Sequence, residues 1–364
     1  MSPNTQQPII INGRFLGRTS TGVDRFAFEI LNALDNLIAN NAEQTSGYSF
    51  SLAVPSDGVD TSPFKNIPII YRGKTKGILW EQFELPLTTS GTHLINLCNA
   101  APLFKHKQMV VIHDATPVRF PGTFSTGFRL WYRLMMPLIG NLSKQVCTVS
   151  QFSKSEIAKC YGISESRIGV ISESGEHILR FADDERILEK YALRDKPYML
   201  SVSSLAPHKN FKLIFEALNH IENPQFDVVI AGGANPQVFA SASITIPEYV
   251  KHVGYVSDSE LKSLMSNAKW FIFPSIYEGF GIPPLEAMSC GCPVLSAKAA
   301  SLPEVCGDAA LYFNPADAVA LADLLMDAST NSAIREQYKL KGKERAASFT
   351  WEQAALQLLI NLGG

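Results

Sequence analysis

Residues 275–286 read SIYEGFGIPPLE, and this stretch decides the fold of the chain around it. It follows a short apolar run, residues 270–273 (WFIF), of the kind that forms a buried strand in a parallel sheet. Pro283 and Pro284 suit the first turn of a helix, and Gly291 stands where that helix would end. The pattern therefore predicts a strand, a glycine-bearing loop and a helix in succession.

The predicted junction is suited to a ligand that carries both phosphate and sugar. A helix N-terminus that follows a glycine loop presents backbone N–H groups and a positive dipole end to an anion. Glu278 and Glu286 frame the loop with seven residues between them, and carboxylates are better suited to hydroxyl groups than to phosphate. The alternatives are that Glu278 stabilises the helix dipole and that Glu286 lies on a solvated helix face.

Composition excludes several classes of protein. A chain of 364 residues with 46% hydrophobic and 18% charged residues is typical of a globular protein with two domains. The net charge of −2 gives no indication of nucleic-acid binding. We expect a cytoplasmic protein, because there is no long apolar run for a spanning helix and no export signal. The six cysteines are expected to be reduced, and no spacing indicates a metal site.

Strand and helix patterns alternate through both halves of the chain, which predicts an α/β protein with two doubly wound domains. The predicted N-terminal domain covers residues 1–185 and the C-terminal domain residues 186–349. Residues 350–364 are predicted to form a helix that could cross back to the N-terminal domain. A cleft between two such domains is the default binding site.

Two features of the first half could belong to a site. The buried strand at residues 109–112 runs directly into His113 and Asp114, at the strand end where open α/β sheets bind ligands. The alternative is a histidine that only caps the strand. Residues 124–144 form an aromatic and cationic helix that could lie on a membrane or receive a lipid-linked substrate, or could pack on the sheet.

Lys209 is the candidate cation of the second half. It follows a predicted strand, residues 198–202, and its ammonium group could reach the loop that contains Gly281. One cation and the helix N–H groups would neutralise a diphosphate without a metal ion, and no Asp-x-Asp or carboxylate cluster is present to hold one. The alternative is an exposed loop lysine.

Over nearly its whole length the chain resembles the retaining glycosyltransferases of family 4, and in particular their mannosyl- and rhamnosyl-transferring members. The resemblance is carried by TSTGVDRFAFEIL (19–31), VVIHD (110–114), TVSQFSKSEI (148–157), LAPHKN (205–210), HVGYVSDSEL (252–261), FPSIYEGFGIPPLEAMSCGCPVLSA (273–297) and LPEVCGDAALYFNPAD (302–317). It implies the GT-B fold, in which two Rossmann-like domains face each other across a cleft.

The resemblance also implies roles for individual residues. Glu286 would bind the nucleotide ribose, Glu278 would face the donor sugar, and Lys209 would bind the diphosphate. The other donor-binding residues implied in the second half are Ser204, His208, Tyr255, Val256, Phe280, Gly281 and Ile282, of which Tyr255 and Val256 match the segment that reads the base. His208 departs from the family pattern, which usually has arginine there.

In the first half, Gly22 is implied to approach the donor phosphates and His113 to touch the donor sugar, with Asp114 supporting His113. The implied catalytic residues are therefore His113, Asp114, Lys209 and Glu278, with no metal ligand. Residues 173–175 (ESG) depart from the family's usual Pro-Asn-Gly. Segments 55–76 and 119–140 are expected to contact the acceptor.

The activity implied is transfer of a sugar with retention of its anomeric configuration and without a metal or other cofactor. The first candidate for the sugar is mannose, donated by GDP-mannose. The acceptor implied is a saccharide or lipid-linked glycan of a cell-surface polysaccharide, reached from the cytoplasm at the inner face of the membrane. Alternative hypotheses are a UDP- or dTDP-sugar donor, a sugar-nucleotide epimerase of the same fold, and a non-catalytic nucleotide-sugar binder.

Overall fold

The computed structural model describes residues 6–17, 21–55, 62–204, 206–233, 247 and 249–363. The chain divides into two compact units: unit 1 comprises Met1–Glu173 and Trp351–Gly364, and unit 2 comprises Ser174–Thr350. Each unit is built on one parallel sheet, of seven strands in unit 1 and six in unit 2. Part of the segment expected to contact the acceptor, residues 56–61, lies outside the described residues.

The sheet of unit 1 has the order β3-β2-β1-β4-β5-β6-β7. Its strands are β1 (Gln7–Asn12), β2 (Tyr48–Val54), β3 (Ile69–Tyr71), β4 (His93–Asn96), β5 (Gln108–Val111), β6 (Gln145–Thr148) and β7 (Ile168–Val170). Its helices before the boundary are α1 (Gly22–Ala39), α2 (Gly77–Leu79), α3 (Leu85–Thr88), α4 (Thr116–Arg119), α5 (Thr126–Leu142) and α6 (Gln151–Tyr161), and a π-helical turn, Trp80–Glu84, joins α2 to α3. Every residue of β4 and β5 is buried, and polar side chains within them bond to each other, as where the Asn96 amide donates to the Gln108 side chain over 3.0 Å.

The sheet of unit 2 has the order β10-β9-β8-β11-β12-β13. Its strands are β8 (Tyr198–Val202), β9 (Asp227–Ala231), β10 (Val250–Gly254), β11 (Trp270–Phe273), β12 (Val294–Ala297) and β13 (Ala310–Phe313). Its helices are α7 (Arg186–Lys190), α8 (Phe211–Leu218), α9 (Asp258–Asn267), α10 (Ile282–Ser289), α11 (Leu302–Cys306), α12 (Ala318–Thr330) and α13 (Ser332–Ala347). The predicted strand, loop and helix around residues 275–286 are β11, its following loop and α10.

In both sheets, the order in which successive strands are added reverses at an equivalent place. From its first strand each sheet grows to one side through the second and third strands, and the fourth strand then pairs with the other side of the first. The reversal lies between β1 and β4 in unit 1 and between β8 and β11 in unit 2. In open α/β sheets, ligands bind beyond the carboxyl ends of the strands at such a switch point.

The boundary between the units falls at residues 173/174 rather than at the predicted 185/186. The reason is packing, because the 3-10 helix Glu176–Arg180 contacts α10 of unit 2. The last helix, α14 (Trp351–Gly363), packs against α1 and therefore belongs to unit 1. The Trp351 ring lies 6.1 Å from that of Phe26, between ring centroids.

Helix α5 has two different faces. Met136, Ile139 and Gly140 are buried, and the first two belong to the core of unit 1. The opposite face exposes several large apolar side chains: Leu130, Leu134, Leu138 and Leu142. Within the described residues, every helix falls short of the length and hydrophobicity that crossing a membrane requires.

Candidate functional site

The switch point of unit 2 brings Lys209 and Glu278 into contact. Strands β8 and β11 are parallel neighbours, so the loops that follow them leave the same edge of the sheet. Lys209 ends the 3-10 turn Pro207–Lys209 in the first loop, and Glu278 lies in the second. The Lys209 Nζ atom lies 2.7 Å from Oε1 and 2.9 Å from Oε2 of Glu278. The alternative of a freely exposed lysine is wrong, since only 19% of the Lys209 side chain is exposed.

Backbone hydrogen bonds hold these two loops together. The Ile276 N–H donates to the His208 carbonyl over 2.9 Å. The Asn210 side-chain amide donates to the carbonyls of Pro274, at 3.3 Å, and Pro315, at 3.0 Å. Asn210 has a φ of +57°, a left-handed conformation that asparagine tolerates better than most residues. The position of Lys209 is therefore fixed by the backbone on both sides of it.

The loop before α10 is constrained by sterics and by one serine. The Ser301 hydroxyl donates to the carbonyls of Glu278, at 3.0 Å, and Phe280, at 2.7 Å. Gly281 has a φ of +112°, and a Cβ there would lie 2.9 Å from the Leu302 side chain, so the position requires glycine. Pro283 lacks an N–H, as does Pro284 after it.

These prolines limit the groups that α10 can offer to an anion. A helix leaves its first four N–H groups without intrahelical acceptors, from the N-cap to the third helical position. Gly281 is the N-cap and Ile282 the first helical residue, and the next two positions are Pro283 and Pro284. Only Gly281 and Ile282 can therefore donate from this turn. Both were among the residues implied by the resemblance.

Glu286 is a buried acid with a histidine beside it. It is only 7% exposed, so the alternative of a solvated helix face is wrong. The Nε2 atom of His177 lies 2.8 Å from Glu286 Oε1, and the His177 side chain is fully buried. Gly175 allows this approach, because a Cβ there would overlap the backbone of Leu285 and Glu286. Sequence reasoning missed His177.

The other unit 2 residues that the resemblance implies in donor binding lie on the same edge of the sheet, at different distances from Lys209. Ser204 is exposed and lies two residues after the end of β8. Tyr255, which is 83% exposed, and the half-buried Val256 follow β10. Strand β10 is two strands away from β8, a lateral separation of about 10 Å. Phe280 is buried and packs edge-on against Phe349.

In unit 1, His113 is a buried histidine with an acceptor at each ring nitrogen. Nε2 lies 2.9 Å from the Leu97 carbonyl, and Nδ1 lies 3.3 Å from Glu173 Oε1. Burial lowers the pKa of His113, but the hydrogen bond and the charge of Glu173 outweigh it and raise the pKa above its ordinary value. Two acceptors at two ring nitrogens favour the doubly protonated ring.

The environment of His113 differs from the one expected. The Asp114 carboxylate accepts the Thr116 N–H over 2.7 Å and so forms a local turn rather than holding the histidine ring. The carboxylate at the ring belongs to Glu173, which was noticed in the sequence only as a departure from the family pattern. Asp114 adds a smaller electrostatic contribution to the raised pKa of His113.

Gly22 is the first residue of α1 and is exposed. Thr21 caps this helix, and Asp24 accepts hydrogen bonds from the Thr21 backbone N–H and hydroxyl, at 3.0 and 2.6 Å. Gly22, His113 and Asp114 thus belong to unit 1, whereas all the other implied site residues belong to unit 2.

The cysteines carry no reactive group at this site. All six are reduced thiols, and burial raises the pKa of Cys147, Cys290 and Cys306 to about 12, which keeps these three protonated. Among the residues that the structure describes, no three His, Cys, Asp or Glu side chains converge as they would around a metal ion.

Residues 183–345, which contain Lys209, Glu278 and Glu286, match the family model described as glycosyl transferases group 1. This part of the chain belongs to the group 1 glycosyltransferases. The resemblance predicted from the sequence is thereby confirmed. The glycosyltransferase domain coincides closely with unit 2, which begins at Ser174.

Curated relatives of the chain include bacterial mannosyltransferases. The chain is 33% identical over 227 residues to O-antigen chain mannosyltransferase B of Escherichia coli, a match that spans 60% of each protein. It is 27% identical over 325 residues to O-antigen chain mannosyltransferase RfbU of Salmonella typhimurium, which covers 85% of this chain and 87% of the relative.

Solved structures extend the likeness to the whole fold. Anabaena Alr3699/HepE, solved in complex with UDP and glucose, matches with a TM-score of 0.74 and 18% identity. The match covers 98% of this chain and 99% of that one. The two Rossmann-like units therefore form the GT-B fold that the sequence predicted.

Proposed function

We propose that the protein is a glycosyltransferase that moves a sugar from a nucleotide diphosphate donor to a saccharide during assembly of a cell-surface polysaccharide. The observation that carries this proposal is the Lys209–Glu278 pair at the switch point of the unit 2 sheet. A cation and a carboxylate at the place where α/β sheets bind ligands match the two halves of a sugar nucleotide.

Lys209 would bind the diphosphate. The ammonium group now has Glu278 as its partner, and the phosphate oxygens would replace that carboxylate when the donor binds. Glu278 would then be released to accept hydrogen bonds from hydroxyl groups of the donor sugar. The N–H groups of Gly281 and Ile282 would add to the positive field at the phosphates.

Glu286 would bind the ribose. Its carboxylate is buried next to His177, so its orientation is restricted before any ligand arrives. A carboxylate can accept hydrogen bonds from two neighbouring hydroxyl groups, which the ribose supplies. Tyr255 and Val256, farther along the same edge, would lie near the base.

The chemistry requires stabilisation of charge. Breaking the anomeric C–O bond builds positive character on the sugar and negative charge on the leaving diphosphate. Lys209 and the helix N–H groups would stabilise that negative charge, an effect that is strong where water is excluded. We propose transfer without a metal ion and with retention of the anomeric configuration. The departing phosphate accepts the proton of the acceptor hydroxyl group that attacks the sugar. This route needs no protein nucleophile.

GDP-mannose is the proposed donor and mannose the sugar transferred. The names of the two O-antigen mannosyltransferases support mannose. A UDP-sugar is the second candidate, because the structural neighbour HepE was solved with UDP and glucose.

The acceptor would be a saccharide or a lipid-linked glycan at the cytoplasmic face of a membrane. The exposed face of α5 supports a peripheral membrane contact, since it combines Leu130, Leu134 and Leu138 with the exposed Arg129 and Arg133. Sedimentation with anionic vesicles tests it. The Leu134→Glu variant should sediment less than the natural protein, and equal sedimentation of the two would refute the contact.

The activity itself is tested by incubating the purified protein with GDP-mannose, UDP-glucose or dTDP-rhamnose and measuring release of the nucleoside diphosphate, with and without EDTA. Release that persists in EDTA supports a metal-independent transferase. Release abolished by EDTA refutes metal independence. Conversion of the sugar without release indicates an epimerase, and binding without either reaction indicates a non-catalytic binder.

A further inference from the structure

A row of cationic residues lies at the amino-terminal edge of the unit 1 sheet, opposite to the edge that carries His113. Lys107, Lys144 and Arg167 are the residues immediately before β5, β6 and β7, which are parallel neighbours. Adjacent strands lie about 5 Å apart, so the backbones of these three residues follow one another over a lateral distance of about 10 Å. Lys105 lies in the same loop as Lys107 and adds a fourth cation at this edge.

Lys105 is a buried lysine without a carboxylate beside it. Its exposure is only 7%, and its ammonium group donates to the Thr89 carbonyl. Throughout the described part of the chain, no carboxylate lies within ion-pair distance of Lys105, Lys107, Lys144 or Arg167. Burial, and then the charge of Lys107, lowers the pKa of Lys105. Lysine is rarely buried unless its charge is paired, so this position favours a counter-ion from outside the chain.

His93 is a second buried polar group at the same edge. It is the first residue of β4 and is 2% exposed, and its Nε2 atom has no hydrogen-bond partner among the described residues. Burial lowers the pKa of His93 to about 4, together with the charges of Lys144, Lys107 and Lys105. All three ammonium groups therefore lie near one ring. We call His93 and these three lysines the amino-edge cluster.

Backbone contacts hold the cations of this edge together. The Lys144 N–H donates to the His106 carbonyl over 2.9 Å, which joins the loop before β6 to the loop before β5. The Arg167 guanidinium donates to the Ser143 carbonyl over 2.8 Å, which joins the turn before β7 to the same region. Like charges held close together repel one another, and a bound anion removes that repulsion.

We infer that the amino-edge cluster binds a phosphate-type oxyanion, a phosphate or diphosphate group. The ammonium groups of Lys105, Lys107 and Lys144 would surround its oxygens, and His93 would donate from Nε2. Three cations favour a group with two or more negative charges over a monoanion such as chloride. Because the cluster belongs to unit 1 and the Lys209 site to unit 2, the inference does not rest on the proposed transferase function.

Calorimetry with inorganic diphosphate, at constant ionic strength in sodium chloride, tests the site. The background is Lys209→Ala, which removes the cation proposed for the donor diphosphate. Lys107→Gln and Lys144→Gln change exposed side chains, so both variants should fold. Lys74→Gln is the matched control, because Lys74 is exposed and follows β3 at the carboxyl-terminal edge of the same sheet.

We expect Lys107→Gln and Lys144→Gln each to weaken diphosphate binding roughly tenfold, the loss of one hydrogen bond between charged groups. Lys74→Gln should leave the affinity unchanged. Diphosphate that binds both variants as tightly as it binds the control would overturn the inference.

The His93 ring gives a readout located at the site. In protein with isotope-labelled histidines, the NMR signal that is missing from His93→Gln is followed as the pH is changed. Diphosphate should raise the pKa of His93 above about 4, because the anion opposes the lysine charges that lower it. Lys144→Gln should raise the same pKa without any ligand. An unchanged His93 titration in saturating diphosphate would show that the anion binds elsewhere and would overturn the inference.

Sedimentation with vesicles distinguishes a free anion from a lipid headgroup. Phosphatidylcholine vesicles that contain phosphatidic acid present a phosphate group at a membrane, and pure phosphatidylcholine vesicles are the comparison. Diphosphate binding that depends on Lys107 and Lys144, with unchanged sedimentation in both variants, supports a soluble anion. Sedimentation that depends on them, without diphosphate binding, supports a phospholipid headgroup. If neither measurement responds to the two substitutions, the amino-edge cluster is not an oxyanion site.

Discussion

Lys209 donates to both oxygens of Glu278, at 2.7 and 2.9 Å, and this ion pair joins the loops after the neighbouring strands β8 and β11. Both side chains are largely shielded, with 19% and 13% of their surfaces exposed. The cation proposed for the diphosphate is therefore neutralised by the carboxylate proposed for the sugar. A donor that supplies both phosphate and hydroxyl groups can replace both partners, whereas a nucleoside diphosphate replaces only one.

This pairing gives a prediction for Glu278→Gln. Removing the competing carboxylate should tighten the binding of GDP or UDP by roughly tenfold, the change that about 1.4 kcal/mol produces. Sugar transfer should fall, because the glutamine amide accepts hydrogen bonds from the hydroxyl groups of the donor sugar less strongly than a carboxylate does. Calorimetry and a transfer assay measure the two effects. The exposed pair of Lys212 and Glu216 supplies the control: Glu216→Gln should change neither. Unchanged diphosphate affinity in Glu278→Gln would refute the competition.

Glu286→Gln should raise the donor KM with a smaller effect on kcat. The ribose lies away from the reacting carbon, so its contacts act alike on the bound donor and on the transition state. A hydrogen bond to a charged group contributes about 1.5–3 kcal/mol, so an increase in KM of tenfold or more is expected. Steady-state kinetics measure it, with the exposed Glu222→Gln as control. A fall in kcat at constant KM would contradict the ribose role.

The pair of His113 and Glu173 predicts a pH dependence of stability. Because Glu173 raises the folded-state pKa of His113, the pair stabilises the fold fully below the unfolded-state pKa, about 6.5. That contribution is lost as the pH rises through the folded-state pKa. Glu173→Gln should therefore reduce the free energy of unfolding more at pH about 6 than at alkaline pH.

Urea unfolding of both proteins across the pH range measures this difference, and Glu165→Gln, at an exposed position of the same unit, is the control. A stability difference that does not vary with pH would show that Glu173 does not stabilise a protonated His113.

Gly175→Ala should destabilise unit 2 and displace Glu286. The added Cβ would overlap backbone atoms of Leu285 and Glu286, which cannot move as a side chain could. Overpacking of this kind costs about 1–3 kcal/mol. Thermal unfolding measures the cost. Gly47→Ala is the matched control, because a Cβ there would meet no atom within 4 Å. Equal stability of the two variants would contradict the close packing.

The sequence predicted most accurately the features that are local. Strand β11 was expected at residues 270–273 and is found there, because an apolar run bounded by a proline leaves few alternatives. Lys209 and Glu278 could be placed near each other because both follow strands of one parallel sheet. The strand order that makes them neighbours is a property of the whole unit and was not predicted.

The missed partners are distant in the sequence. His177 meets Glu286, and Glu173 meets His113, only because separate segments converge in the folded units. Asp114 shows the converse, since its position next to His113 suggested support for the ring but its carboxylate forms a local turn. The domain boundary was misplaced for the same reason, because the contact between residues 176–180 and α10 has no local pattern.

The most direct test of the account is the thermal shift caused by a donor in Lys209→Ala and Lys212→Ala. A ligand that binds the folded protein raises its melting temperature by mass action. We expect GDP-mannose, or UDP-glucose if that is the donor, to raise the melting temperature of the natural protein and of Lys212→Ala, but not of Lys209→Ala. An undiminished shift in Lys209→Ala would contradict the assignment of the unit 2 switch point as the donor site.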